Sequence, residues 1–434
     1  MAKANGRRSI CILLAFIFTL AIMTGLGPVS AAETIRFVAA NHPFHDVIRP
    51  LIPEFEKETG IRVIVENYEE NQLNQKLTVE FTSGLSTVDV FMTRPLQEGR
   101  LFFKNNWYES LNSYLDAQTP AVWNWDDFPE STKQAVTIDG QIYAVPIATE
   151  WHTLFYRKDL FAEANLQPPT TFDELVAAAE KLHNPDAGIC GIVLRGQRGA
   201  AVTQFSSCLY GFGGDFIQDG KCMIDSPEAI EAFKFYGKLL HAYGPPGVTN
   251  MSWPQAQALF ASGNAAMWAD ASVLIAGIID PDKSVVADEV GVAVFPAGPA
   301  GRRPYMVVPW GISVGAQSQN KAAAWEFILW ATNHVNSKKA LLSGLTVARN
   351  STWEDREVVS ELYPGLGESS IESGPVGVPY DRPVMTAVTE ARDAIGEVIV
   401  HAIETGGTGD IERMAREAAR KVDRLLVQAG EGRE

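Results

Sequence analysis

Residues 34–65 read TIRFVAANHPFHDVIRPLIPEFEKETGIRVIV, and their periodicity decides the fold. The run from Thr34 to Ala40 reads as a strand. Behind it Ile48, Leu51, Ile52 and Phe55 fall at i, i+3, i+4 and i+7, the spacing of one helix face. Gly60 closes that helix, because glycine takes the left-handed conformation a helix C-terminus favours. Ile61, Val63 and Val65 then resume the two-residue period of a strand. Strand, helix and strand with short connections imply a right-handed parallel unit, and Val88 to Met92 offers a further buried strand. The N-terminal part is expected to be α/β.

A second block begins after Tyr143-Ala144-Val145-Pro146. Thr171 and Glu174 form a capping box ahead of Phe172, Leu175, Val176, Ala179 and Leu182, while Pro168-Pro169 stops a helix from running in. Ser226-Pro227 opens another helix, and Gly188 to Leu194 and Val290 to Phe295 read as strands. From Asn320 the pattern turns helical, with Trp325, Ile328 and Leu329 on one element and Ile411, Met414, Ala415, Ala418, Val422 and Leu425 on the last. About 400 residues remain once a leader is removed, more than one hydrophobic core usually supports, so two domains are expected.

The leader is the N-terminus, residues 1–31. Lys3, Arg7 and Arg8 precede an apolar run from Ile10 to Ile22 and the small residues Val29-Ser30-Ala31, which is the layout of a secretory signal peptide cleaved after Ala31 or Ala32. The run is shorter than the roughly 20 residues of a spanning helix. Arg7-Arg8 also loosely fits a twin-arginine signal. No cysteine stands where a lipoprotein would be acylated, so a free periplasmic protein is expected. A formal charge of −16 argues against nucleic acid as a partner, since phosphate neutralisation wants clustered Lys and Arg. Cys190, Cys208 and Cys222 remain after export, enough for one disulfide and one thiol. Spacing does not settle the pair; Cys208 with Cys222, across the turn-rich Gly211 to Gly214, is the favoured one.

Several segments in order along the chain resemble the family 1 extracellular solute-binding proteins, the maltose-binding-protein-like components of ABC importers. They include Phe55-Glu56-Lys57-Glu58-Thr59-Gly60, Val88-Asp89-Val90-Phe91, Asp139-Gly140-Gln141-Ile142-Tyr143, Phe155-Tyr156-Arg157-Lys158-Asp159, Phe212-Gly213-Gly214-Asp215, Phe260-Ala261-Ser262-Gly263-Asn264 and Ala324-Trp325-Glu326-Phe327. Thr149-Glu150-Trp151 and Arg195-Gly196-Gln197-Arg198-Gly199 look like the branch that binds polyols and small saccharides. The resemblance implies two α/β lobes, each a mostly parallel sheet flanked by helices, joined by hinge crossovers. Mapped here, the first lobe would take residues 33–147 plus 308–342, and the second 148–307 plus 343–434. It also implies a monomer that captures a sugar or polyol and hands it to membrane permease subunits.

A sugar offers hydroxyls at its rim and C–H groups on its faces, so its site needs polar groups at the edge and a flat aromatic face. Neither metal nor other cofactor is called for. Ligands of open α/β sheets sit beyond the carboxyl ends of strands, which singles out the loops that follow them. Asn41, His42 and His45 come after the first strand, to bond hydroxyls or to cap the next helix. Asp89 is a carboxylate in a strand, an acceptor of sugar hydroxyls or half of an ion pair, and Thr93 and Arg94 at the far end of that strand are lesser candidates, since an exposed arginine is usually just solvated. Glu150 and Trp151 face the cleft in the resemblance, Trp151 as a stacking platform or as core. Trp268 and Asp270 match a segment that brings an aromatic and a polar group to the ligand. Trp310, between Pro309 and Gly311, is the preferred aromatic. Arg349 would supply a guanidinium fork, and Gly214, Tyr380 and Arg382 complete the candidates. No G-x-S-x-G, H-E-x-x-H or metal-spaced Cys/His set is present, so a secreted carbohydrate-active enzyme is disfavoured. An anionic solute would favour more cleft Arg and Lys than the sequence places.

Overall fold

The computed structural model describes residues 33–84 and 87–433. The expected signal peptide lies outside the described residues. Nine strands build the two main sheets: β1 (Thr34–Ala40), β2 (Arg62–Tyr68), β3 (Val90–Thr93), β4 (Val145–Pro146), β5 (Glu150–Arg157), β6 (Met267–Ala271), β7 (Val290–Val294), β8 (Met306–Val307) and β9 (Gly311–Val314). The first sheet has the order β2-β1-β3-β9-β4. β1 pairs parallel with β2, Thr34 opposite Arg62 through Ala40 opposite Tyr68, and parallel with β3 at Phe37 and Val90. β9 runs antiparallel to both β3 and β4, so it alone is reversed.

The second sheet repeats this plan around a different strand. Its order is β6-β5-β7, with β8 also on β5, and every one of these ladders is antiparallel. β6, β7 and β8 therefore share one direction, and β5 is the reversed member. The expected strand over residues 188–194 reduces to parallel bridges of Cys190 with Ala265 and Val193 with Trp268. In both sheets the reversed strand is one that the chain enters directly after crossing from the other side: β4 leads into β5, and β8 into β9.

Local chemistry sets the ends of the helices. Gly60 sits at φ 76° and donates its N–H to the Glu56 carbonyl, closing the helix Ile52–Thr59. Thr171 Oγ1 accepts from the Glu174 N–H at 3.2 Å to open the helix Phe172–Leu182, although Glu174 turns back to Thr170 rather than to Thr171. Ser226 Oγ accepts from the Ala229 N–H at the head of Pro227–Tyr243. That helix packs on two more, Val388–Glu404 and Ile411–Ala429, which come from the end of the chain.

Buried apolar residues fall into separate clusters. One runs through residues 35–148 and 308–358, with Ala271 and Val273 added. A second joins residues 154–295 to 378–426, and a smaller third packs Trp151, Phe155, Phe260 and Trp268 on the other face of the second sheet. Leu345, Val347, Ala348 and Val358 belong to the first cluster, although they lie beyond residue 342. The two crossings are tied to one another where Ile147 donates to the Trp310 carbonyl at 3.1 Å, and the first is tied to the segment after the helix His334–Leu342 where Thr149 donates to the Thr346 carbonyl at 2.8 Å.

The expected Cys208–Cys222 disulfide is absent, and all three described cysteines are free and buried. Cys208 is fixed inside the helix Ala201–Gly211, while Cys222 lies in a small hairpin pinned by its N–H to Asp423 at 2.7 Å. Burial pushes the thiols of Cys190 and Cys222 up to about 12, and that of Cys208 upward as well. They are inert packing groups.

Candidate functional site

The ends of the two sheets face each other across a cavity of about 380 Å³. Each wall follows from strand direction. Asn41 and His42 leave the carboxyl end of β1, Arg94 and Gln97 that of β3, Ala271 that of β6, and Arg195 follows the bridged residue Val193. The reversed strands contribute their starting ends, Glu150 on β5 and Trp310 just before β9. Tyr305 comes from the segment ahead of β8, and Asp381, Arg382 and Arg392 from the C-terminal region.

The charges are arranged in pairs. Arg195 Nε donates to Asp270 Oδ2 at 3.0 Å, from a carboxylate fully buried behind the cavity wall. Arg382 forks onto Asp381 with Nε and Nη2, both at 2.6 Å. Burial opposes the charge on Asp381, but Arg382 and Arg392 hold its carboxyl down at about 2. Arg94 pairs with Glu70 at 3.2 Å and with Glu98 at 3.1 Å, and Lys283 with Asp280 at 2.8 Å. Arg392 differs: its donors reach the Gly199 carbonyl at 3.1 Å, Gln97 Oε1 at 2.8 Å and Thr203 Oγ1 at 3.5 Å, all neutral acceptors. Burial and the neighbouring Arg382 push its pKa downward.

Glu150 is half-buried among these groups. Burial pushes its carboxyl up to about 8, with Asp381, Asp270 and Glu70 adding to the effect and Arg195 opposing it. His42 Nδ1 accepts from the Phe44 N–H at 3.2 Å, and burial lowers its pKa to about 3, so the ring is neutral with its proton on Nε2. Neither His42 Nε2 nor Tyr305 Oη has a protein partner. The Trp310 indole lies at the cavity with the Arg94 guanidinium 5.6 Å from its ring centre and the His42 ring 5.3 Å away.

Six of the expected residues thus line the cavity: Asn41, His42, Arg94, Glu150, Trp310 and Arg382. The others are placed elsewhere. His45 packs in the first core with Nδ1 on Asp46, and Asp89 is a clip that accepts from the Arg36 N–H at 2.8 Å and from Ser318. Trp151 is core, its indole N–H on Ser369 at 2.9 Å, and Trp268 packs against Phe155 at 5.1 Å. Asp270 stands one layer back and reaches the cavity only through Arg195. Gly214 is buried where an added Cβ would meet Leu209 at 2.5 Å, and the Tyr380 hydroxyl donates to Asp215 at 3.2 Å. Arg349 is buried between the rings of Trp123 and Phe128, donating to Asp127 at 2.8 Å and to the Thr332 carbonyl at 2.7 Å. Sequence reasoning missed Gln97, Arg195, Tyr305, Asp381 and Arg392. Among the described residues no group of three or more His, Cys, Asp or Glu is placed to hold a metal ion, and no helix is long and apolar enough to cross a membrane.

Two sheets of matched plan, joined by crossing strands around a polar cavity, define a two-lobed solute-binding fold. The profile of the bacterial extracellular solute-binding proteins matches residues 42–338, and the chain belongs to that family. It is 30% identical over 349 residues to a mannitol-binding protein of Pseudomonas aeruginosa, covering 78% of this chain and 75% of that one. An erythritol/L-threitol-binding protein of Mycolicibacterium smegmatis is 28% identical, with 73% and 70% covered. A crystal structure of an ABC transporter solute-binding protein from Agrobacterium radiobacter in complex with ribitol superposes with a TM-score of 0.81 at 28% identity, covering 91% of this chain and 98% of that one.

Proposed function

We propose that this protein is the capture component of an ABC importer, taking a polyol or small sugar in the periplasm and presenting it to the membrane permease as a monomer. It binds and does not turn its ligand over. The observation that carries the reading is the cavity itself, where carboxylates and guanidinium groups from both lobes are set around the indoles of Trp310 and Trp253. Paired charges make strong directional bonds to hydroxyls without demanding a charged ligand, each worth roughly 1.5–3 kcal/mol. Micromolar binding needs about 8 kcal/mol, so a handful suffices. A ligand hydroxyl reaching Tyr305 Oη or His42 Nε2 would also give a buried polar atom its missing partner. The names of the relatives, mannitol-binding and erythritol/L-threitol-binding, point the same way.

The lobes in this reading are residues 33–147 with 308–342, and 148–307 with 343–434. Packing of Leu345 to Val358 in the first core favours a later return to the second lobe. Ligand bonds both lobes and so favours the closed state over the open one.

A second reading rests on Arg392, whose acceptors are all neutral and which would suit the carboxylate of a sugar acid. A thermal-shift screen of the purified protein against alditols, mono- and disaccharides, aldonic acids and amino acids separates the two. An alditol or sugar is expected to raise the melting temperature most. Stabilisation by aldonic acids alone would favour the second reading, and stabilisation by amino acids alone would overturn both.

A further inference from the structure

Gln97 belongs to the first lobe by position but spends its whole side chain on the second. It lies in the single wide turn Pro95–Gly99 that follows β3. That turn is stiff: Pro95 fixes one backbone angle, the buried Glu98 carboxylate accepts from the Arg94 N–H at 2.7 Å, and the Gln97 N–H donates to the Arg94 carbonyl at 3.0 Å. From this base Gln97 Oε1 accepts from Arg382 Nη1 and from Arg392 Nη1, each at 2.8 Å. Its Nε2 donates to Thr389 Oγ1 at 2.9 Å. All three partners lie in the C-terminal segment whose Met385, Val388 and Ala391 pack in the second core.

The two guanidinium groups need such an acceptor. They carry like charge, they share one carboxylate neighbour in Asp381, and Asp381 gives both its oxygens to Arg382. One amide oxygen between the two Nη1 atoms adds a bond to each guanidinium, holds them side by side and offsets part of their repulsion. The same approach brings the next helix, Arg100–Lys104, to the chain end, with Lys104 Nζ donating to the Ala429 carbonyl at 3.0 Å and Arg100 3.6 Å from Glu431. Separating the lobes would withdraw Gln97 and leave the arginines without their common acceptor.

We propose that Gln97 is a positioning residue that makes the orientation of Arg382 and Arg392 in the cavity depend on closure, so that the binding site is complete only when the lobes meet. This rests on the reading of the cavity as the ligand site, but its first readout needs no ligand. Small-angle scattering of the ligand-free protein compares wild type with Gln97→Glu and Gln97→Ala. A carboxylate between the two guanidinium groups is expected to make ligand-free Gln97→Glu more compact than wild type. Gln97→Ala is expected to be no more compact than wild type, to keep the ligand-free melting temperature within a few degrees, and to bind the best ligand of the screen about tenfold more weakly, with faster release. Superimposable scattering from all three ligand-free proteins would overturn the closure role. Unchanged affinity of Gln97→Ala would overturn the positioning role. If no ligand emerges from the screen, the cavity reading fails while the scattering comparison still decides the latch.

Discussion

Glu150 begins β5 with a carboxyl that burial raises from 4.5 to about 8. A raised acid holds its proton more tightly folded than unfolded, so its contribution to stability is full below 4.5 and is lost as pH rises through about 8. Glu150→Gln keeps the shape and removes the charge. The ligand-free variant is expected to melt at a higher temperature than wild type at the alkaline end of that window and at a similar temperature at its acid end. Parallel melting curves for the two proteins across the window would place the carboxyl in water. His42 and His152 act oppositely: burial lowers each from 6.5 to about 3, so the stability they contribute is present above 6.5 and lost as pH falls toward 3. At this scale the sequence speaks for residues at strand ends. Asn41 and His42 are legible because strand periodicity marks where β1 stops, while Glu150, which begins β5, is legible only through the family resemblance of its segment. Arg195 and Arg392 are not, since what gives each its place is a partner remote in sequence: Asp270 lies 75 residues from Arg195, and Gln97 lies 295 residues from Arg392. Asp89 misleads for the complementary reason. A carboxylate in a buried strand signals a buried partner, but not whether that partner is a ligand or, as here, the backbone N–H of Arg36.

Elements hold the arginines in place, and the helix Val388–Glu404 does so through a glycine. A Cβ added at Gly396 would lie 2.7 Å from the Gly199 nitrogen and 2.8 Å from the Arg198 carbonyl carbon. Those backbone atoms belong to the loop that carries Arg195, and the Gly199 carbonyl accepts from Arg392. Alanine in mid-helix gains up to about 1 kcal/mol in propensity, but overpacking against backbone costs about 1–3 kcal/mol, so the clash wins. Gly396→Ala is expected to lower the urea midpoint by an amount worth about 1–2 kcal/mol and to weaken ligand binding together with it. An unchanged or higher midpoint would mean that the loop yields freely. This helix shows what periodicity leaves out. Its contact face uses Ala391, Ala394, Gly396 and Ala402 among its larger residues, and small side chains carry little hydrophobic signal. β5 is hard to read for another reason: Trp151 through Phe155 are all buried, so no alternation of polar and apolar residues marks the strand. β1 and β2 with the helical stretch between them are read directly, because one sequence stretch contains the whole ladder that joins the two strands.

The whole molecule is two cores that meet at crossing strands and at the cavity rim. β4 enters β5 and β8 enters β9 side by side, so the backbone bonds from Ile147 to Trp310 and from Thr149 to Thr346 fall where any relative motion must turn. A ligand held by one lobe alone would stabilise that lobe and leave the distance between cores unchanged. A ligand held by Glu150 and Arg382 from one side and by His42 and Trp310 from the other shifts the balance toward the closed form, by as much as its affinities for the two forms differ. Mass action fixes the size of the stabilisation: about 2.7 kcal/mol at a hundredfold excess over Kd, growing with the logarithm of concentration. Two measurements on one sample therefore separate the cases. With the ligand found by the screen at saturation, the melting temperature is expected to rise and the radius of gyration from small-angle scattering to fall. A rise in melting temperature with an unchanged scattering curve would show that the ligand sits on one lobe, and hinge closure would then be the wrong mechanism even though the capture function stands.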